Sequence, residues 1–149
     1  MFNELLDNKI LWCAVLGWFV AQLLKVIVVL VTEKKFDARR FIGSGGMPSS
    51  HSSFVLALTS AVAIECGMDS AAFAICVVFS FVVMYDAAGV RRAAGRQAKI
   101  INNIVENFGR ETAEITGERL KELLGHSPFE VFAGAVLGLL IAVFMYKIF

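Results

Sequence analysis

The chain contains two histidines, His51 and His126, and each stands immediately before a strongly apolar run. The first lies in Gly45-Gly46-Met47-Pro48-Ser49-Ser50-His51-Ser52 and the second in Gly125-His126-Ser127-Pro128-Phe129-Glu130. A histidine at the mouth of a helix sits beside the unpaired N–H groups of the first turn, which are ready partners for an anion such as phosphate. In the first motif the glycines at 43, 45 and 46 let the chain turn sharply, and Ser49 and Ser50 can cap the helix or turn a hydroxyl toward a phosphate oxygen. The same residues also read as a plain capping loop with an interfacial histidine. In the second motif Glu130 follows His126 by four residues, on one face of a helix starting near Pro128. Its carboxylate can therefore hold one imidazole nitrogen and leave the other free as a nucleophile or base. A cap plus a snorkelling acid is the plainer reading. Against it, Glu130 opens a membrane-length segment, where an unpaired carboxylate is costly.

The elements that must position these residues are membrane helices. The chain has 149 residues and is 58% hydrophobic, with a mean hydropathy of +0.71, against an apolar fraction of about 45–50% in an average globular domain. Segments 11–31, 52–67, 70–88 and 130–146 each form an apolar run, and spanning takes about 20 residues. The expected fold is all-α: a single integral membrane domain over residues 1–149, with about four transmembrane helices. The short polar break at Met68-Asp69 makes the second and third segments a helical hairpin. Between Gly89 and Gly125 the apolar positions, from Ile100 to Leu123, follow a helical period. One or two amphipathic helices are expected there, on the membrane surface or folded back over the bundle, with breaks at Gly95, Gly109 and Gly117. Lys25 lies six residues inside the end of the first span, about 9 Å at helical rise. It either snorkels or is a buried cation awaiting an anion.

Charge patterning sets the topology. Residues 33–51 carry Lys34, Lys35, Arg39 and Arg40 against Glu33 and Asp37, and residues 89–125 carry seven Arg or Lys against five Glu. The positive-inside rule then makes both loops cytoplasmic and puts both termini outside. An even number of crossings between the loops brings both histidine motifs to one face. A formal charge of +1, with no basic stripe interleaved with aromatics, argues against nucleic-acid binding. Cys13, Cys66 and Cys76 are odd in number and lack metal-type spacing, so no disulfide or metal site is expected. The small residues Gly134, Ala135 and Gly138 allow close helix contact, compatible with a homodimer.

The pair Pro48-Ser49-Ser50-His51 and His126-Ser127-Pro128-Phe129-Glu130-Val131-Phe132-Ala133-Gly134 resembles the second and third signatures of the type 2 phosphatidic acid phosphatases, relatives of the vanadium-dependent haloperoxidases. Across nearly all its length the chain looks like the divergent PAP2 branch of that superfamily, small bacterial and plastid membrane proteins of the YuiD type. The stretches carrying this closer likeness include 45–53, 86–95 and 120–138. The resemblance implies that His126 attacks phosphorus to form a phosphohistidine, that Glu130 orients it, that His51 protonates the leaving oxygen, and that Ser49 contacts the phosphate. Ser50 stands where that signature usually has glycine. The first signature, a lysine, six intervening residues and then arginine and proline, is absent, since Thr32 stands at that offset from Lys25. Leu120 replaces the arginine expected six residues before His126, with Arg119 and Lys121 beside it. Lys25, Arg39, Arg40, Arg91 and Arg92 are therefore the expected phosphate-binding cations, with Asp86 orienting one of the arginines. Topology determination and headgroup contact are the plainer roles for those arginines.

The function this implies is a metal-independent, cofactor-free membrane phosphatase acting on a lipid phosphate or diphosphate. It would sit in the bacterial inner membrane with its site at the cytoplasmic face. The alternative is a non-catalytic membrane protein, a sensor, carrier or assembly factor, that binds a phosphorylated lipid in a degenerate pocket.

Overall fold

The computed structural model describes residues 2–33, 46–108, 120 and 125–148. A short helix α1 (Phe2–Leu6) leads into α2 (Lys9–Glu33), followed by α3 (Ser50–Cys66), α4 (Ala71–Tyr85), a π-helical turn (Asp86–Val90), α5 (Arg91–Phe108) and α6 (Pro128–Ile148). Among the described residues there is no strand. Three helical stretches are long and apolar enough to cross a membrane: Lys9–Thr32, Ala71–Glu106 and Pro128–Ile148. The expected fourth span, α3, has 17 residues and extends about 25 Å at helical rise.

α3 is the centre of the bundle and packs against α2, α4 and α6. Its buried positions include Ser50, Ser52, Ser53, Val55, Ala57, Thr59, Ala61 and Val62. The large apolar side chains instead face outward: Ile75, Phe81, Phe132 and Phe144 are each about two-thirds exposed. This inversion suits a bilayer. Lipid tails solvate leucine and phenylalanine as well as a protein core does, so helices associate through small residues and hydrogen bonds. Ser53 Oγ donates to the Gly17 carbonyl of α2 at 2.8 Å. Thr59 Oγ1 and Ser80 Oγ lie 2.8 Å apart between α3 and α4. A Cβ added at Gly17 would stand 2.8 Å from the Ala57 Cβ, and one at Gly138 would stand 2.8 Å from the Ala57 backbone nitrogen.

Gly134 and Gly138 thus face α3 of the same chain, with Gly134 laid against the Ser49 carbonyl. Two of the three small residues behind the homodimer expectation, Gly134 and Gly138, are thus engaged in packing within the chain. At the end of the bundle away from the histidines, Cys13, Ala57, Ala61 and Ala142 pack together with Ile10, Met145 and Tyr146. The start of α2 and the end of α6 therefore share that end.

Two expected boundaries move. α3 begins at Ser50, so His51 lies within its first turn. The amphipathic segment is no separate surface helix at its start, because α5 grows out of α4 through the π-turn without a helical break. Gly95 sits buried inside α5 and does not interrupt it. Gly109 and Gly117 lie outside the described residues.

Candidate functional site

Two helix starts and the π-turn build the site. At the first, Ser49 is the N-cap of α3: its hydroxyl accepts from Ser52 N–H at 3.4 Å and from Ser52 Oγ at 3.1 Å. Capping of this kind satisfies one of the orphan donors of the first turn. At the second, Ser127 and Glu130 form a capping box. Glu130 N–H donates to Ser127 Oγ at 3.3 Å and Ser127 N–H donates to Glu130 Oε2 at 3.0 Å. Pro128 takes the first helical position, where no N–H is needed. The two starts are stapled directly, because Ser49 N–H donates to the Glu130 carbonyl at 3.0 Å.

The same Glu130 oxygen that accepts from Ser127 lies 3.1 Å from His126 Nδ1. His126 precedes the helix rather than sitting on it, so the cap geometry, not a shared helical face, brings the pair together. Holding the proton on Nδ1 leaves the Nε2 lone pair free. His126 is 2% exposed, and its buried Nε2 has no hydrogen-bond partner among the described residues. Across from it stands His51, half-buried, with ring centroids 6.0 Å apart at 63°. The His51 Nδ1 is likewise buried without a partner among the described residues.

Lys25 reaches this point from α2. It is 3% exposed, and its Nζ donates to Ser50 Oγ at 3.0 Å. Snorkelling is therefore not its role. The remaining eight residues of α2 run about 12 Å past it, so the site is recessed below the end of that helix. Lys25 and Glu130 lie within electrostatic reach of each other.

Asp86, at the start of the π-turn, receives Arg91 Nε on Oδ2 at 2.6 Å. That pair is roughly half exposed, with side chains 47% and 41% accessible, which makes it weak as a stabilising bridge but places the guanidinium. Arg91 acts electrostatically on His51, as do His126, Lys25 and Asp86. Arg92 is exposed and is not drawn into this cluster by any described contact. Arg39 and Arg40 lie outside the described residues. The fold thus brings together His51, His126, Glu130, Lys25, Ser49, Ser50 and Arg91 with Asp86. Ser49 and Ser50 already have partners here, Ser52 and Lys25 respectively. Among the described residues no three His, Cys, Asp or Glu side chains gather as a metal-binding cluster.

Burial, and then the charge of Lys25, push the His126 imidazole below the ordinary histidine range, while Glu130 and the Gly46 backbone oppose the shift. The neutral ring is thereby favoured at neutral pH. In the unfolded chain His126 takes up its proton near the usual value of about 6.5, before the folded chain does. Stability is then expected to fall as pH drops below about 6.5 and to be insensitive to this group above it. Thermal unfolding between pH 5 and 8 checks this, with His126→Asn flattening the acid limb.

Two backbone contributors, the Ala87 carbonyl and Gly125, have no role in the sequence reading, whereas Gly134, expected at a close helix contact, meets Ser49 at the start of α3. His126 N–H donates to the Ala87 carbonyl at 2.9 Å, and Gly125 has φ +87°. Of the two, only Gly125, a glycine directly before a candidate nucleophile, carried a readable signal.

The model of the Divergent PAP2 family matches residues 6–141. The chain is similar to the uncharacterized membrane protein YuiD of Bacillus subtilis (strain 168), with 40% identity over 156 residues covering 98% of this chain and 99% of the relative. No solved structure matches it. A match that runs from before α2 into α6 takes in both histidine-bearing helix starts, the π-turn and Lys25, and the chain therefore belongs to the Divergent PAP2 family.

Proposed function

We propose that this membrane protein is a phosphatase that hydrolyses a lipid phosphate or diphosphate through a phosphohistidine on His126. The observation that carries the reading is the buried, unpartnered Nε2 of His126, whose opposite nitrogen is held by Glu130 while His51 faces it. In the first step the Nε2 lone pair attacks phosphorus, the bond from phosphorus to the lipid or diphosphate leaving oxygen breaks, and His51 delivers a proton to that oxygen. In the second, water attacks the phosphohistidine and gives its proton to His51. The P–N bond breaks and its electron pair returns to Nε2. Lys25 and Arg91 stabilise charge on the nonbridging oxygens, and the first-turn N–H groups of α3 add to that field. Glu130 supports the imidazolium character that develops on His126 during attack.

Two features support a lipid substrate: the outward apolar faces of α2, α4 and α6, and a site recessed beside them. The basic loops support a cytoplasmic site with both termini outside, in a bacterial inner membrane. In intact cells an impermeant thiol reagent is expected to label Cys66, which is exposed next to the α3–α4 hairpin. Labelling of Cys66 only after cell lysis reverses the orientation.

The catalytic reading is tested with purified chain in detergent, given phosphatidate, phosphatidylglycerophosphate and polyprenyl diphosphate. Phosphate release with an acid-labile, base-stable phosphoenzyme is the expected result. The second reading, a non-catalytic binder of a phosphorylated lipid, is favoured by one observation: Lys25 is the only buried cation among the described residues. Saturable binding without turnover, lost in Lys25→Met, would establish it instead.

A further inference from the structure

The π-turn sets the position of the nucleophile. In an α-helix the Arg91 N–H would donate to the Ala87 carbonyl four residues back. Here it donates to Asp86, five back. Ala87 is 1% exposed, so its released carbonyl would be a costly orphan in an apolar bundle. It instead accepts the backbone N–H of His126 at 2.9 Å. The residue before His126 completes the joint. Gly125 lies flat on the α5 start, where an added Cβ would stand 2.8 Å from the Arg91 carbonyl carbon and closer still to the Arg92 nitrogen. Those are backbone atoms, which cannot swing aside, and φ +87° disfavours any other residue.

We infer that Gly125 and the Ala87 carbonyl form a socket in which the π-turn seats the His126 backbone, making Gly125 a positioning residue for the attack. The inference rests on His126 being the attacking group. The His126 main chain is fixed by the α4–π–α5 helix and its ring by Glu130 of α6, so one helix sets where the nitrogen stands and another sets how it points. The π-turn also presents Arg91, held by Asp86, to the same site. Insertions of this kind are often found at functional sites, and here the insertion supplies a free acceptor that a regular helix lacks.

The test uses the full chain in detergent, labelled with ¹⁵N-histidine. Two backbone amide signals arise, and His51→Gln assigns them. Amide hydrogen exchange of His126 is expected to be slowed by roughly 1,000-fold or more relative to an open amide. An unprotected His126 amide in the wild-type chain overturns the inference, whether or not any substrate turns over. Gly125→Ala is expected to lose that protection and to lower kcat roughly 100-fold, the scale of a misplacement of about 1 Å, with KM within about threefold. Gly67→Ala imposes similar backbone strain at φ +86° at the far end of the bundle and should leave both readouts unchanged. Unchanged kcat and protection in folded Gly125→Ala also overturn the inference. If that variant does not assemble, the wild-type exchange rate decides alone. A protected amide in a chain without phosphatase activity keeps the socket and removes the catalytic reading.

Discussion

Replacing His126 by alanine is expected to abolish phosphate release by roughly 10⁴-fold or more and to eliminate the phosphoenzyme, the scale on which enzymes lose a covalent nucleophile. The physical basis is the absence of any substitute. His51 is the only other histidine, and the Glu130 carboxylate that would orient a replacement is already engaged with the Ser127 amide. Glu130→Ala should show an intermediate loss of roughly 100-fold, because the ring keeps its nucleophilic nitrogen but loses the partner that fixes its tautomer. It should also cost about 1 kcal/mol of stability, since the same carboxylate closes the capping box. The contrast lies in the phosphoenzyme: His126→Ala eliminates it, whereas Glu130→Ala slows its formation and opens the capping box. Phosphate release that survives His126→Ala unchanged removes the proposed mechanism.

Gly138→Val is expected to be the most damaging substitution in the apolar part of the chain, costing about 3 kcal/mol or more, at the top of the range for overpacking. A Cβ at 138 already meets the Ser53 carbonyl carbon at 3.0 Å and the Ala57 nitrogen at 2.8 Å, and the neighbours are main-chain atoms. α6 must therefore move away from α3. That movement also parts the Ser49–Glu130 staple, so His51 and His126 separate as the helices do. Thermal unfolding in detergent should show a fall of about 6–12 °C on the scale for a chain of this size. Gly89→Ala is the matched control, since an added Cβ there meets nothing within 4 Å. Equal melting temperatures for Gly138→Val and Gly89→Ala would show that the glycine contact does not hold the bundle.

Much of the site was legible from residue types and counting. Two histidines, two helix starts and an even number of crossings place His51 and His126 at one end, and the rings do face each other at 6.0 Å. The spacing of His126 and Glu130 gave the pair that lies 3.1 Å apart, although a capping box rather than a helical face joins them. Lys25 was open between snorkelling and burial. The sequence does not contain the decision, since it depends on Ser50 arriving from another helix.

By itself, then, the sequence determined the membrane class, the all-helical architecture, the shared face of the histidines and the partner of His126. Each of these follows from hydropathy, charge or short-range spacing, which are properties of one segment at a time. Tertiary structure alone decided that Gly134 and Gly138 pack against α3, that Lys25 is buried against Ser50, and that a π-turn offers the Ala87 carbonyl to His126. These depend on which helices meet and at what distance. In a lipid-solvated bundle that choice is made by close approach of small residues and by leftover backbone donors and acceptors, neither of which leaves a periodic mark on the chain.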